Sequence, residues 1–425
     1  MMYQIRDNRL WIDGIAAETL AQKYGTPLMV VSESQIRSQI QTLRDQFLNR
    51  YDNVRAAYAG KAFLPIAMCK VIEEEGLCLD VVSGGELFTA LKAGFPVDRI
   101  EFNGNNKSLD ELKMAVENGV GRIIIDGVDE LTLIEEACRQ SGKRVEALLR
   151  ISPGVDSHTH QFITTGNVDS KFGIPLHGGI FEEAFLKINA SEHIDLLGFH
   201  FHIGSQLHDN EAYLQAVGVL LQIIEDMHGK YGFRTSEINI GGGFGVRYTD
   251  EDDVKPYSYF LDPIMEEIEE WSARTGIPRP TVVIEPGRSI VANAGATLYR
   301  VGAIKEIPGI RKYVSVDGGM TDNIRTAMYD SRYESHVDTD AESEEMVTIC
   351  GKCCESGDIL IHDAIVTTPK RGDLLTIFST GAYCLPMASN YNKIPMLPVV
   401  FVKEGKDRLV VRRQTFTELL ERELL

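Results

Sequence analysis

From residue 54 onward, short apolar runs alternate with segments whose apolar residues recur every three or four positions. The first pattern reads as buried strand and the second as amphipathic helix. The runs cover 54–61, 78–83, 100–104, 122–126, 145–152, 196–204, 237–243 and 281–287. They are apolar on both faces, as strands of a parallel sheet covered on both sides must be. Helical patterns lie between them, among them 210–231, 256–275 and 108–118, where Ser108 and Glu111 form a capping box. Eight strands, each followed by a helix, predict a (β/α)8 TIM barrel, with an open doubly wound sheet as the structural alternative.

The pattern differs on either side. Before the barrel lie a strand-like piece at 10–12, a helix-like piece at 16–24, a strand-like run at 27–31 and an amphipathic helix at 32–51. That helix carries Ile36, Ile40, Leu43 and Phe47 on one face. Beyond residue 294 come strand-like runs at 298–304, 313–316, 346–349, 359–361, 374–378, 399–403 and 408–412, with few helices. The run at 27–31 would be a ninth barrel strand, so it and the N-terminus are assigned to a second, mostly β domain built from both termini. Drawn as domains, 1–27 is the N-terminal part of the β domain, 28–294 the barrel and 295–425 the C-terminal β domain. The acidic run 338–345 reads as an exposed loop, and Glu266, Glu267, Glu269 and Glu270 as a solvated helix face.

At 425 residues the chain exceeds one ordinary domain. Its net charge of −19 opposes nucleic acid or an anionic membrane as partner, without excluding an anionic substrate. The start lacks a basic, then apolar, signal segment, and no run approaches a membrane span. Seven cysteines, an odd number, fit a reducing compartment, so a cytoplasmic protein is expected.

In a barrel of this kind the chemistry sits at the C-terminal ends of the strands. Those ends carry Lys61, Asp80, Asn103, Asp126, Arg150, His202, Gly241, Gly242, Gly243 and Glu285. Lys61 ends a core strand: either its amine reaches water, or it is a desolvated Schiff-base lysine aimed at a carbonyl. The three glycines after the seventh run let backbone N–H groups approach an anion, although a lone GGG is also a flexible turn. Glu285-Pro286-Gly287-Arg288 occupies the matching place after the eighth, and Arg288 can fork onto phosphate or carboxylate. A buried Glu285 needs a cationic partner, either an arginine or a protonated pyridine nitrogen. His200 and His202 alternate and so share a face. HxH can mean metal, but no third ligand of suitable spacing accompanies it. Stacking on a flat ring, with Ser205 bonding phosphate, fits better. In Cys350-Gly351-Lys352-Cys353-Cys354, CxxC lacks the second pair a zinc ribbon requires; a proton-donating thiol or a buried inert cysteine remain as readings.

Taken in order, Tyr58-Ala59-Gly60-Lys61-Ala62, His200-Phe201-His202-Ile203-Gly204-Ser205, Gly241-Gly242-Gly243, Glu285-Pro286-Gly287-Arg288, Cys354-Glu355-Ser356-Gly357-Asp358 and Gly381-Ala382-Tyr383 span nearly the whole chain. This ordered set resembles the fold-type III pyridoxal-phosphate decarboxylases. His158-Thr159-His160, Thr164-Thr165-Gly166, Ser170-Lys171-Phe172-Gly173 and Ala388-Ser389-Asn390-Tyr391-Asn392 resemble the branch that converts meso-2,6-diaminoheptanedioate to lysine and CO2, rather than the ornithine branch.

The resemblance implies that Lys61 carries pyridoxal 5'-phosphate covalently. Ser205, Gly241, Gly242, Gly243, Gly287 and Arg288 would surround its phosphate, His202 would stack on the ring, and Glu285 would meet the pyridine nitrogen. Tyr383 would touch cofactor and substrate. Arg288, Arg325 and Tyr329 would hold the far carboxylate of a small amino-acid substrate. The resemblance also implies a head-to-tail homodimer with shared active sites, in which Cys354 donates a proton and Glu355 binds the distal ammonium across the subunit boundary. Two features depart from the pattern: Phe63 stands where many members have Asn, and Cys353 precedes Cys354. The competing readings are a decarboxylase of ornithine, arginine or carboxynorspermidine, a racemase, and a non-catalytic regulator. Glu285 opposes the racemase, Arg325 the ornithine enzyme, and the retained Lys61 and Cys354 the regulator.

Overall fold

The computed structural model describes residues 3–155 and 170–424. The chain forms two compact units. One comprises Ile40–Gly245 and Asp253–Gly287; the other comprises Met1–Gln39, Val246–Asp252 and Arg288–Leu425.

The first unit is an eight-stranded parallel barrel. Its strands are β1 (Val54–Ala59), β2 (Cys78–Val81), β3 (Ile100–Phe102), β4 (Arg122–Ile125), β5 (Val145–Ser152), β6 (Ile194–His200), β7 (Glu237–Asn239) and β8 (Thr281–Ile284). Each pairs in parallel with the next, and β8 closes on β1 with Val282 opposite Val54. Every predicted run overlaps one of these strands, although Ile194–His200 starts two residues before its run. The runs extend past the ladders because residues such as Lys61, Gly241 and Glu285 leave the sheet to form the barrel mouth.

Side chains point in and out of the barrel with period two. At the start of β7, the buried Glu237 is paired by Arg55 of β1 and Arg122 of β4. One layer up, Ala57, Cys78 and Val283 pack as an apolar cluster. Above that, the strand ends turn polar with Asp80, Asn239 and Glu285, all buried. The helix Leu109–Asn118 starts at the predicted capping box and ends at Gly119 in the left-handed region.

The second unit is organised on one long strand, Gly295–Ile307. Its first half pairs antiparallel with Leu28–Ser32 and Leu374–Phe378, and its second half with Arg311–Val316. Glu344–Cys350 and Ile359–Thr367 extend one side, and Val399–Lys403 with Lys406–Val411 the other. A small antiparallel sheet holds Tyr3–Arg6, Arg9–Ile12 and Ile15–Ala16.

Three expectations meet differences. The predicted limits at 27/28 and 294/295 fall elsewhere in the compact units. Leu28–Ser32 hydrogen-bonds into the second sheet, which carries the chain as far as Gln39 into that unit. At the other limit, 288–294 and the separate piece Val246–Asp252 belong there too. The helix expected over 32–51 is α-helical over Glu33–Leu43 and widens into a π-helical turn at Arg44–Leu48. The acidic run is not wholly exposed. Ser335–Asp338 and Glu344–Cys350 are strands, and the buried Asp338 accepts the Leu10 N–H at 3.0 Å.

Candidate active site

Lys61 sits on a single 3-10 turn, Gly60–Ala62, directly after β1. Tyr58 donates from its hydroxyl to the Phe63 carbonyl at 2.9 Å and closes that turn; both rings are fully buried. A side chain at Gly60 would meet the Asp80 carbonyl at 2.9 Å, and one at Gly287 would meet the Ala59 Cβ at 2.9 Å. The turn carrying Lys61 is thus gripped by the ends of β2 and β8.

Lys61 lines a cavity of about 280 Å³ together with Asn103, Arg150, His200, His202 and Glu285. Glu285 is buried, and its Oε1 accepts His200 Nε2 at 2.9 Å, Asn239 Nδ2 at 2.9 Å and Asn103 Nδ2 at 3.2 Å. Burial alone would raise its pKa. His200, through its hydrogen bond, and the Lys61 charge outweigh burial and hold the carboxyl well below its usual range, so Glu285 is ionised. Asp80 moves the other way, pushed up by burial and by the Glu285 charge. His202 is held well below the ordinary histidine value, first by burial and then by the Lys61 charge. It is therefore a neutral ring, and its Nδ1 accepts the Gly242 N–H at 3.2 Å.

The loops after β6 and β7 are laced together. Leu207 N–H donates to the Gly243 carbonyl at 2.9 Å, and Gly245 N–H to the Leu207 carbonyl at 2.9 Å. This brings the segment of Ser205 beside Gly241, Gly242 and Gly243. A Cβ at Gly242 would lie 1.9 Å from the Glu285 carbonyl, and one at Gly243 would lie 2.3 Å from that of Gly204. The Tyr213 hydroxyl supports the loop from behind, donating to the Gly242 carbonyl at 2.7 Å.

A second cluster forms within the other unit. The buried Arg288 guanidinium lies 4.7 Å from the Tyr383 ring centre and donates to the Tyr248 hydroxyl at 2.6 Å. Arg325 lies 5.4 Å from the same Tyr383 ring and 5.2 Å from that of Tyr329. Tyr383 holds this place with φ 64°, a costly conformation for a bulky residue. Two guanidinium groups on one aromatic ring have the chemistry to fork onto a carboxylate or phosphate. Tyr333 orients Arg325 by accepting its Nε–H at 3.1 Å.

Cys354 and Glu355 are exposed on the loop after Glu344–Cys350. Asp358 fixes that loop: its carboxylate accepts the Met320 N–H at 2.6 Å and the Cys353 N–H at 2.7 Å. Asn392 accepts the Cys354 N–H at 2.7 Å. The segment of Arg325, the Cys354 loop and the 388–392 motif therefore share one scaffold. Cys353 is half-buried, its thiol pushed up to about 11 by burial and by Asp358.

His158, Thr159, His160, Thr164, Thr165 and Gly166 lie outside the described residues. Phe172, from the neighbouring motif, lines the cavity with the Arg150 guanidinium 4.4 Å from its ring centre. Sequence reasoning passed over Asn239, Tyr213, Tyr248 and Tyr333. Asn239 carried a signal, being polar and two residues from Glu237 in an otherwise apolar run. The tyrosines carried none.

Residues 33–292 match the family model described as pyridoxal-dependent decarboxylase, pyridoxal binding domain. The chain is 47% identical to the diaminopimelate decarboxylase of Bacillus subtilis over 99% of its own length and 96% of that protein. It is 39% identical to that of Mycobacterium tuberculosis, over 97% and 94%. A crystal structure of diaminopimelate decarboxylase from M. jannaschii superposes with a TM-score of 0.94 at 33% identity, covering 100% of this chain and 98% of that one. The chain belongs to the diaminopimelate decarboxylase family of pyridoxal-dependent decarboxylases.

The barrel residues fit the pyridoxal phosphate that this family uses. Among the described residues, Asp80 Oδ2 and His200 Nδ1 are buried without a hydrogen-bond partner. An ionised carboxylate, a neutral imidazole, an amine and a glycine loop too tight for any Cβ suit a flat ring with a cationic nitrogen and an anionic end. Among the described residues, no cluster of three His, Cys, Asp or Glu side chains could hold a metal ion. No described helix is long and apolar enough to cross a membrane.

Proposed function

We propose that this chain decarboxylates meso-2,6-diaminoheptanedioate to L-lysine and CO2. The observation that carries the reading is the placing of Lys61, neutral His202 and ionised Glu285 around one cavity in a chain 47% identical to a diaminopimelate decarboxylase over nearly its full length. A structural neighbour of that family was solved with L-lysine bound, at 33% identity and a TM-score of 0.94. A lysine/ornithine decarboxylase from Vibrio vulnificus superposes less well, at 0.76 and 25% identity.

Pyridoxal phosphate, when bound, supplies an electron sink for the pair left behind as CO2 departs. Lys61 would hold the cofactor through its amine. Ionised Glu285 would meet the ring nitrogen and stabilise a proton there, and neutral His202 would lie against the ring. Ser205, Gly241, Gly242, Gly243, Gly287 and Arg288 would hold the phosphate. Arg325, Tyr329 and Arg288 grip the far carboxylate, which a diamino dicarboxylate has and ornithine lacks. Tyr383 orders both arginines.

Cys354 and Glu355 act on a second copy of the chain in a head-to-tail dimer, Cys354 protonating the α-carbon and Glu355 binding the distal ammonium. Their exposure in one subunit supports this. Seven free cysteines support a cytoplasmic setting. The deciding experiment supplies pyridoxal phosphate to the purified protein and measures CO2 and lysine from meso-diaminopimelate, beside ornithine, arginine and carboxynorspermidine. Preferred turnover of ornithine or arginine would overturn the assignment.

A further inference from the structure

Asn239 ends β7 and is fully buried. Its Nδ2 donates one hydrogen to Glu285 Oε1 at 2.9 Å and the other to Glu101 Oε2 at 2.8 Å. Its Oδ1 accepts the Gly241 N–H at 2.9 Å. Both donors and an acceptor site of the amide are therefore in use. Only one orientation serves: a turned amide would set its oxygen against two carboxyl groups and its NH2 against the Gly241 N–H.

The two ends this amide joins are different parts of the cofactor site. Glu285 lines the cavity with Lys61 and His202. Gly241 opens the anion-binding loop with φ 71°, a conformation that favours glycine. The Gly241 carbonyl also accepts the Glu285 N–H at 2.8 Å. Glu101 completes the arrangement from below. Burial, then the charges of Glu285 and Glu237, hold its carboxyl well above the usual range. Its Oε2 offers the acceptor that holds the second Asn239 hydrogen.

We propose that Asn239 is a positioning residue that couples the two ends of the cofactor site, aiming Glu285 at the ring nitrogen and tethering Gly241 with the phosphate loop. The inference rests on the reading that the cavity binds pyridoxal phosphate, and its test separates the two. Apo-protein is titrated with pyridoxal phosphate, with 1-deazapyridoxal phosphate, which lacks the ring nitrogen, and with inorganic phosphate as competitor. Melting temperatures check the fold.

Wild type binds pyridoxal phosphate more tightly than the deaza analogue; failure of wild type to bind it at all overturns the cofactor reading itself. Asn239→Ala shrinks the preference for the ring nitrogen and weakens inorganic phosphate, each by at least about fivefold, the scale of one lost buried hydrogen bond. A smaller change in either quantity, in a folded variant, overturns the coupling. Should Asn239→Ala fail to fold, Asn239→Ser is judged by the same two readouts, because its hydroxyl cannot make all three bonds.

Discussion

Glu285 accepts three N–H groups on one oxygen, and this concentration of donors decides its chemistry. Burial penalises the charge, but His200, Asn239 and Asn103 stabilise it together with the Lys61 amine. Glu285→Gln removes the charge while keeping the shape. It should lower kcat about 100-fold or more with little change in KM, read from steady-state decarboxylation. Arg325 shares the Tyr383 ring with Arg288. Arg325→Ala should raise KM for meso-diaminopimelate roughly 100-fold, the loss expected for a charged hydrogen-bonded grip, and an unchanged KM would sink its assigned role. Asp322 gives a pH prediction. Burial, with Asp317 and Asp358 nearby, pushes its carboxyl up to about 7 against the Gly319 N–H that it accepts. The folded chain thus binds this proton more tightly than the unfolded chain. The stability it contributes is full below about pH 4 and is lost as pH rises through about 7. Asp322→Asn should flatten the melting temperature between those limits, relative to wild type.

At the scale of elements, the strands supply the frame and the residues just past them supply the chemistry. The eight apolar runs were legible because a barrel strand is buried on both faces. Their ends were overrun for the same reason, since glycine and alanine at the mouth are buried as well. The 241–243 loop is where an element boundary has most consequence. Gly242 does not need its glycine for φ; it needs it for space, with the Glu285 carbonyl 1.9 Å from any Cβ. Gly242→Ala should force β7 and β8 apart at their ends and abolish measurable pyridoxal phosphate binding, checked by titration with the bound cofactor's absorbance. Ser108→Ala, at the capping box of Leu109–Asn118, should cost only about 1 kcal/mol in denaturant unfolding and leave decarboxylation alone.

For the whole molecule, the chain enters the second unit, builds the barrel and returns, with Val246–Asp252 as a short excursion between. The residues proposed for catalysis divide accordingly. Lys61, His202 and Glu285 belong to the barrel unit, while Arg288, Arg325, Tyr383 and Cys354 belong to the other. The dimer proposal adds a further division, between copies. Lys61→Ala and Cys354→Ala subunits, each inactive alone, should regain about a quarter of native activity when mixed and allowed to exchange, since half the dimers then hold one intact site. No recovery despite demonstrated exchange would mean that Cys354 serves its own subunit.

The order of apolar runs determined the barrel, and the ordered motifs determined the family, because both are written in local periodicity and spacing. Which groups became charged or neutral was decided in three dimensions. Glu285, Asp80 and Glu101 are carboxyl residues of one barrel interior. Only their neighbours, from strands up to some two hundred residues apart in the chain, leave Glu285 ionised while Asp80 and Glu101 are pushed toward the neutral form. The same holds for Asn239, whose three partners come from β3, the loop after β7 and the residue after β8. Burial and hydrogen-bond geometry set these properties, and neither exists until the barrel closes.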